Sequence, residues 1–153
     1  MEQASENLAD ELRRAMAGLP MPRNRPERDR MFAFGDILWG GFRCFGETYP
    51  RPAAVMGERA GDSKAILSLR PITSKAQTGR QKRTTYRFRP KDLDYPPTGR
   101  RRMNQDKTSH LLLHHRPIVK PLSKLNTRAF RYEAAFTEQQ QSEIRAIEEG
   151  AVA

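Results

Sequence analysis

His110, His114 and His115 stand close together in the chain, and histidine is the side chain whose ordinary pKa lets it take or give a proton near neutral pH. Cleavage of RNA by attack of its own 2′-hydroxyl needs such a base and an acid. Side chains alternate along a strand, so His114 and His115 face opposite ways there, and each of the three is more often a surface or packing residue than a catalyst. Arg51 stands between a turn-like stretch, Gly46 to Pro50, and a strand-like one, Pro52 to Met56. Rigid backbone at such a junction can aim a guanidinium that forks onto two phosphate oxygens. Thr73 closes the apolar run Ala65 to Ile72, where its hydroxyl can bond a phosphate oxygen or a ribose hydroxyl. Taken alone, the two are also what a surface arginine and a strand-capping threonine look like. No phosphate loop of the P-loop or dinucleotide type, no histidine pair at zinc-ligand spacing on a helix and no nucleophile elbow is present. The remaining chemistry is acid-base and electrostatic, built from Arg, Thr, Ser, Glu, Asp and His, with no metal and no cofactor expected.

The elements that must position these groups are short. From Phe34 the chain runs in apolar segments separated by Gly, Pro and charge: Gly35 to Arg43, Pro52 to Gly57, Ala65 to Ile72, Thr84 to Arg89 and His110 to Lys120. Five such segments predict a mainly β domain, a small and strongly bent barrel. Pro52, Pro71, Pro90 and Pro117 suit strand starts, ends or edges, since proline donates nothing to a central ladder. Thr137 as N-cap and Gln140 in the reciprocal position open a C-terminal helix that carries Ile144 and Ile147 on one face before Gly150. Ahead of the barrel, Leu8, Leu12, Met16 and Leu19 mark an amphipathic helix within residues 1–20, and residues 21–33 read as a basic, Pro-rich linker. The barrel and its helix then occupy residues 34–150.

A chain of 153 residues suits one domain with an added arm. Its net charge of +10 and pI near 10.3 favour polyanionic partners, whether nucleic acid, an anionic membrane surface or an acidic protein. Solvated basic faces or disordered arms are the lesser alternative source of such a charge. Cys44 is the single cysteine, so no internal disulfide framework forms. The polar, acidic stretch Met1 to Asp10 and the lack of a long apolar run predict a cytoplasmic protein without membrane association. Two polar stretches between strands, Ser74 to Arg83 and Lys91 to Lys107, are the loops in which function is expected. Phosphate neutralisation by Lys75, Arg80, Lys82, Arg83 and Arg100 to Arg102 would give a salt-dependent affinity. Tyr49, Tyr86 and Phe88 are available to stack on bases, although Phe88 is as well suited to the core.

The segment Phe34-Gly35-Asp36-Ile37-Leu38-Trp39, then Gly46-Glu47, Arg51-Pro52-Ala53-Ala54-Val55 and Ile72-Thr73-Ser74-Lys75, resembles the opening of the MazF/PemK family of toxin endoribonucleases. His110 to Leu125 is similar to that family's later strand and turn, and Phe136 to Gly150 to its C-terminal helix. The resemblance implies an SH3-like barrel, usually a homodimer, that acts as the toxin of a type II toxin-antitoxin system. It implies Arg51 and Thr73 as the pair that activates the 2′-hydroxyl and stabilises the phosphorane without metal, leaving 2′,3′-cyclic phosphate ends on single-stranded RNA. Glu47 matches an acidic residue flanking that site, and is carried as a third catalytic group. Ser74, Lys75, Arg80, Lys82 and Arg83 lie where substrate phosphates would pass. The implied protein partner is an acidic antitoxin. The alternatives are a non-catalytic barrel of the same ancestry that binds nucleic acid or protein, and a structural component of a larger nucleoprotein or phage particle. They are separated by whether Arg51 and Thr73 converge.

Overall fold

The computed structural model describes residues 32–44, 47–59 and 66–152. The expected N-terminal helix and linker lie outside the described residues, apart from Phe32 and Ala33. Seven strands follow: β1 (Asp36–Cys44), β2 (Glu47–Arg59), β3 (Ile66–Thr73), β4 (Thr85–Phe88), β5 (Ser109–Leu112), β6 (Ile118–Pro121) and β7 (Phe130–Ala135). A single turn of helix, α1 (Leu122–Leu125), joins β6 towards β7, and α2 (Glu138–Val152) closes the chain.

All pairings are antiparallel, in the order β4-β5-β3-β2-β1-β7, with β6 also on β3. The fold is thus mainly β with a C-terminal helix, as expected. Among the described residues β4 and β7 remain the two ends of an open ladder. Two strands exceed the expected set. His110 to Lys120 is divided by a turn into β5 and β6, and β7 was not foreseen because its buried glutamate, Glu133, breaks the apolar alternation.

Strand alternation loads both faces of the sheet. One face carries Ile37, Ala54, Ile72, Tyr86, Leu111 and Ala134, and is covered by Phe136 and by Ile144 of α2. The other carries Leu38, Phe42, Ala53, Val55, Leu67, Leu69 and Ile118, closed over by Leu125 and Phe130. Each fully buried aliphatic or aromatic side chain contributes about 1.5–3 kcal/mol, so both layers are needed to hold so small a sheet. The helix begins as its sequence dictates: Gln140 N donates to Thr137 Oγ1 at 3.1 Å, and Thr137 N donates to Gln140 Oε1 at 2.8 Å. It continues through Gly150 to Val152.

β3 is the strand on which the site depends. One edge pairs with β2 from Ile66 to Pro71. Its other edge is shared, with β6 along Ile66 to Leu69 and with β5 at Ile72 and Thr73. The β2–β3 ladder stops at the pair Ala53 and Pro71; the next rung would need an N–H from Pro52, which has none. Past that point β3 belongs to β5 alone. Arg70, at the switch, donates through Nη1 to the His115 carbonyl and so fastens the turn between β5 and β6.

The glycine-aspartate pair that opens β1 is structural. Gly35 adopts φ +94°, the left-handed region that glycine tolerates. Buried Asp36 accepts the Ala33 N–H at 2.8 Å and donates its own N–H to the Ala33 carbonyl at 3.0 Å.

The stretch from Lys91 to Lys107 is a packed strap. Leu93 and Met103 enter the first core face, and Arg101 stacks on Tyr95 with 4.1 Å from its guanidinium carbon to the ring centre. Glu133 is the extra residue of a β-bulge, since Ile37 pairs with Ala134 while Leu38 pairs with Tyr132. The bulge turns its carboxylate inward, where Oε2 accepts the Arg102 N–H at 2.7 Å and the Met103 N–H at 2.9 Å.

Candidate functional site

Arg51 is not at a turn-to-strand junction. β2 begins at Glu47 and runs unbroken past it, with Arg51 paired to Gly40 of β1. Two neighbours in the ladder fix the face it occupies. Leu38 pairs with Ala53 in the second core layer, so the next pair on that face is Gly40 and Arg51. Gly40 leaves its place to the Phe130 ring, because a Cβ there would lie 2.2 Å from Phe130 Cδ1. Arg51 is itself buried, with 6% of its surface exposed.

Thr73 lies on the same face of β3. Ala53 of the second layer is paired with Pro71, which therefore faces the same way. Two residues on from that pair, on either side of the fork, stand Arg51 and Thr73. Thr73 is half-buried, and its Oγ1 accepts the Lys75 N–H at 3.1 Å. That turn holds the hydroxyl in place and leaves its proton to be donated elsewhere.

The same face continues across β5 and β4. Ile72 pairs with Leu111 in the first core layer, so the adjacent pair, Thr73 with His110, faces the other way. Tyr86 and Leu111 likewise pair in the first layer, which puts the pair Arg87 and His110 on the face of Thr73. Directly opposed side chains in an antiparallel pair have Cβ atoms about 4.5–5.5 Å apart. The result is a row across four strands: Arg51 on β2, Thr73 on β3, His110 on β5 and Arg87 on β4. His110 is 7% exposed, while Arg87 is exposed. Burial, and secondarily the charge of Arg87, lower the His110 pKa from its ordinary value. The imidazole is therefore neutral at neutral pH and able to accept a proton.

The other sequence-derived groups are less concentrated. Glu47 is the first residue of β2, paired with Cys44. Four residues of strand, about 13 Å, separate its backbone from that of Arg51, and its side chain lies outside those described. Ser74 and Lys75 follow Thr73 directly and are exposed. Lys82 and Arg83 are exposed on the 3-10 turn Gly79–Thr84, which also contains Arg80, whose side chain is outside those described. Tyr86 and Phe88 are core residues, 8% and 5% exposed and edge-on to Phe136, so they offer bases no platform. Tyr49's side chain is outside those described. His114 sits 3.5 Å from Thr85 Oγ1 and His115 2.7 Å from the Arg116 carbonyl, and neither is paired with a member of the row. Arg87 was not singled out from the sequence, where it is one arginine among many. Its partner His110 identifies it only once the register is known.

An open cleft of about 570 Å³ lies at the β4 edge against the start of α2. Its walls mix Arg87 and Arg89 with Asp92 and Glu143, and the Glu143 carboxylate is taken by the Tyr86 hydroxyl. Among the described residues no group of three His, Cys, Asp or Glu could hold a metal ion. None of their helices is long and apolar enough to cross a membrane.

Comparison of the chain with protein-family models, with curated proteins and with solved structures gives no match.

Proposed function

We propose that the chain is a metal-independent endoribonuclease of the MazF/PemK kind, with an SH3-like barrel, that cuts single-stranded RNA at the row containing Arg51 and Thr73. The observation that carries this reading is the common face of those two residues, flanking the fork at which β3 leaves β2. In the reaction the ribose 2′-oxygen attacks the adjacent phosphorus. The Arg51 guanidinium forks onto the phosphorane oxygens, where charge accumulates, and the Thr73 hydroxyl donates a hydrogen bond to the same group. Departure of the 5′-oxygen leaves a 2′,3′-cyclic phosphate. Basic Lys75, Lys82 and Arg83 would carry flanking phosphates, with a salt dependence set by how many they neutralise. The same basic surface suits an acidic antitoxin segment that competes with RNA, and a homodimer is part of the proposal.

The 6% exposure of Arg51 favours a second reading, a non-catalytic barrel that binds nucleic acid or protein through its exposed lysines and arginines. Single-stranded RNA of mixed sequence, incubated with the protein in EDTA beside Arg51→Ala and Arg51→Lys, separates the two. The expected result is cleavage to cyclic phosphate ends, reduced about 10²–10³-fold in Arg51→Ala, with circular dichroism showing both variants folded. Intact RNA retarded equally in a gel by all three proteins would overturn the enzyme and leave the binding module.

A further inference from the structure

We propose that His110 is the general base of the site, taking the 2′-hydroxyl proton between Thr73 and Arg87; this rests on the nuclease reading above.

The placement follows from register. His110 is directly opposite Thr73 on one side and Arg87 on the other, so one imidazole stands between a hydroxyl and a guanidinium on the face that carries Arg51. Among the described side chains the charged groups on that face are Arg87 on β4, beside the imidazole, Arg51 on β2, beyond Thr73, and Lys120 on β6, opposite Leu67 and over the Phe130 ring. β3 contributes Leu67, Leu69, Pro71 and Thr73 to it, and β1 contributes Leu38, Gly40 and Phe42, none of them charged. A cation-lined, buried position keeps an imidazole unprotonated, which a base requires and a structural imidazolium paired with a carboxylate would not show.

The division of labour is then complete at one end. A ring nitrogen of His110 receives the 2′-O–H proton as the 2′-oxygen bonds to phosphorus. Arg51 and Arg87 face the phosphorane from the two ends of the row, and Thr73 orients it. The P–O5′ bond breaks, the 5′-oxygen takes a proton from water, and the imidazolium returns its proton to solvent. Arg87 has two effects: it stabilises the developing charge and holds His110 in its neutral form.

The test is the pH profile of kcat/KM on single-stranded RNA between about pH 5 and about pH 8, for the full chain and for His110→Gln, His110→Asn and Arg87→Gln. The wild-type rate is expected to fall on the acid side as one group protonates, at a pH below the ordinary histidine value. Folded His110→Gln or His110→Asn loses about 10²–10⁴-fold and loses that acid limb. Arg87→Gln, at an exposed position where folding is not at stake, moves the limb to higher pH. If the wild type cleaves and Arg51→Ala does not, yet the His110 variants keep the wild-type rate and profile, or Arg87→Gln leaves the limb in place, the general-base role is overturned and the nuclease stands. If the wild type leaves RNA intact, both fall together.

Discussion

Replacing Glu133 by alanine tests whether the strap from Lys91 to Lys107 is held by one carboxylate. Its side chain is fully buried, and a single oxygen accepts the amides of Arg102 and Met103 at 2.7 and 2.9 Å. The Arg102 guanidinium stands 4.0 Å from the second oxygen. Alanine strands both amides. A buried donor left without an acceptor costs about 1–3 kcal/mol, and the Met103 amide is the more deeply placed, so the loss should be about 3–4 kcal/mol. Glutamine keeps a carbonyl oxygen in place and gives up only the charge assistance, a loss of about 1 kcal/mol. Against a total of about 5–15 kcal/mol for a domain, the difference is easily read from urea unfolding followed by circular dichroism. Amide exchange at Arg102 and Met103 should accelerate in Glu133→Ala before the rest of the sheet opens. Equal losses in the two variants would refute the assignment of the effect to acceptor geometry, and a loss below about 1 kcal/mol in Glu133→Ala would show that the strap is held by Leu93 and Met103 instead.

Gly40→Ala would drive a methyl into the Phe130 ring. The expected cost is about 1–3 kcal/mol, relieved in a Phe130→Leu background; a double-mutant cycle with no coupling would remove the close approach as its cause. At the β4 edge, burial and then the bond to Glu143 raise the Tyr86 pKa above its ordinary value. The folded state therefore holds that proton more tightly than the unfolded one, so the stability it contributes is present below about pH 10 and is lost as pH rises beyond. Tyr86→Phe should flatten the alkaline fall of the urea midpoint between about pH 8 and about pH 11, and an unchanged slope would place the fall on other groups.

What could be read from the sequence was what local chemistry dictates. Thr137 and Gln140 cap α2 because each carries the acceptor the other's amide needs, a relation complete within four residues. The apolar segments fell on strands because alternation and proline placement are local too. Arg51 reads from the sequence as a turn-to-strand junction, since two prolines and a tyrosine around it resemble a turn until β1 supplies a partner for every position from Glu47 to Ala54. His110 had no claim over His114 or His115 until strand pairing set it against Thr73. The basic run Arg100 to Arg102 looked like a nucleic-acid track, whereas its last member is bound through its backbone to Glu133. Pairing between distant segments, not residue type, decided each of these.

The end of the β2–β3 ladder has one more implication. Most gaps between strands are conformational and can close when conditions or ligands favour it. Here the missing donor at Pro52 is absent from the covalent chain, so no rearrangement of the same sequence can supply the next hydrogen bond of that ladder. The place where β3 parts from β2, between Arg51 and Thr73, is thus written into the polypeptide when it is made.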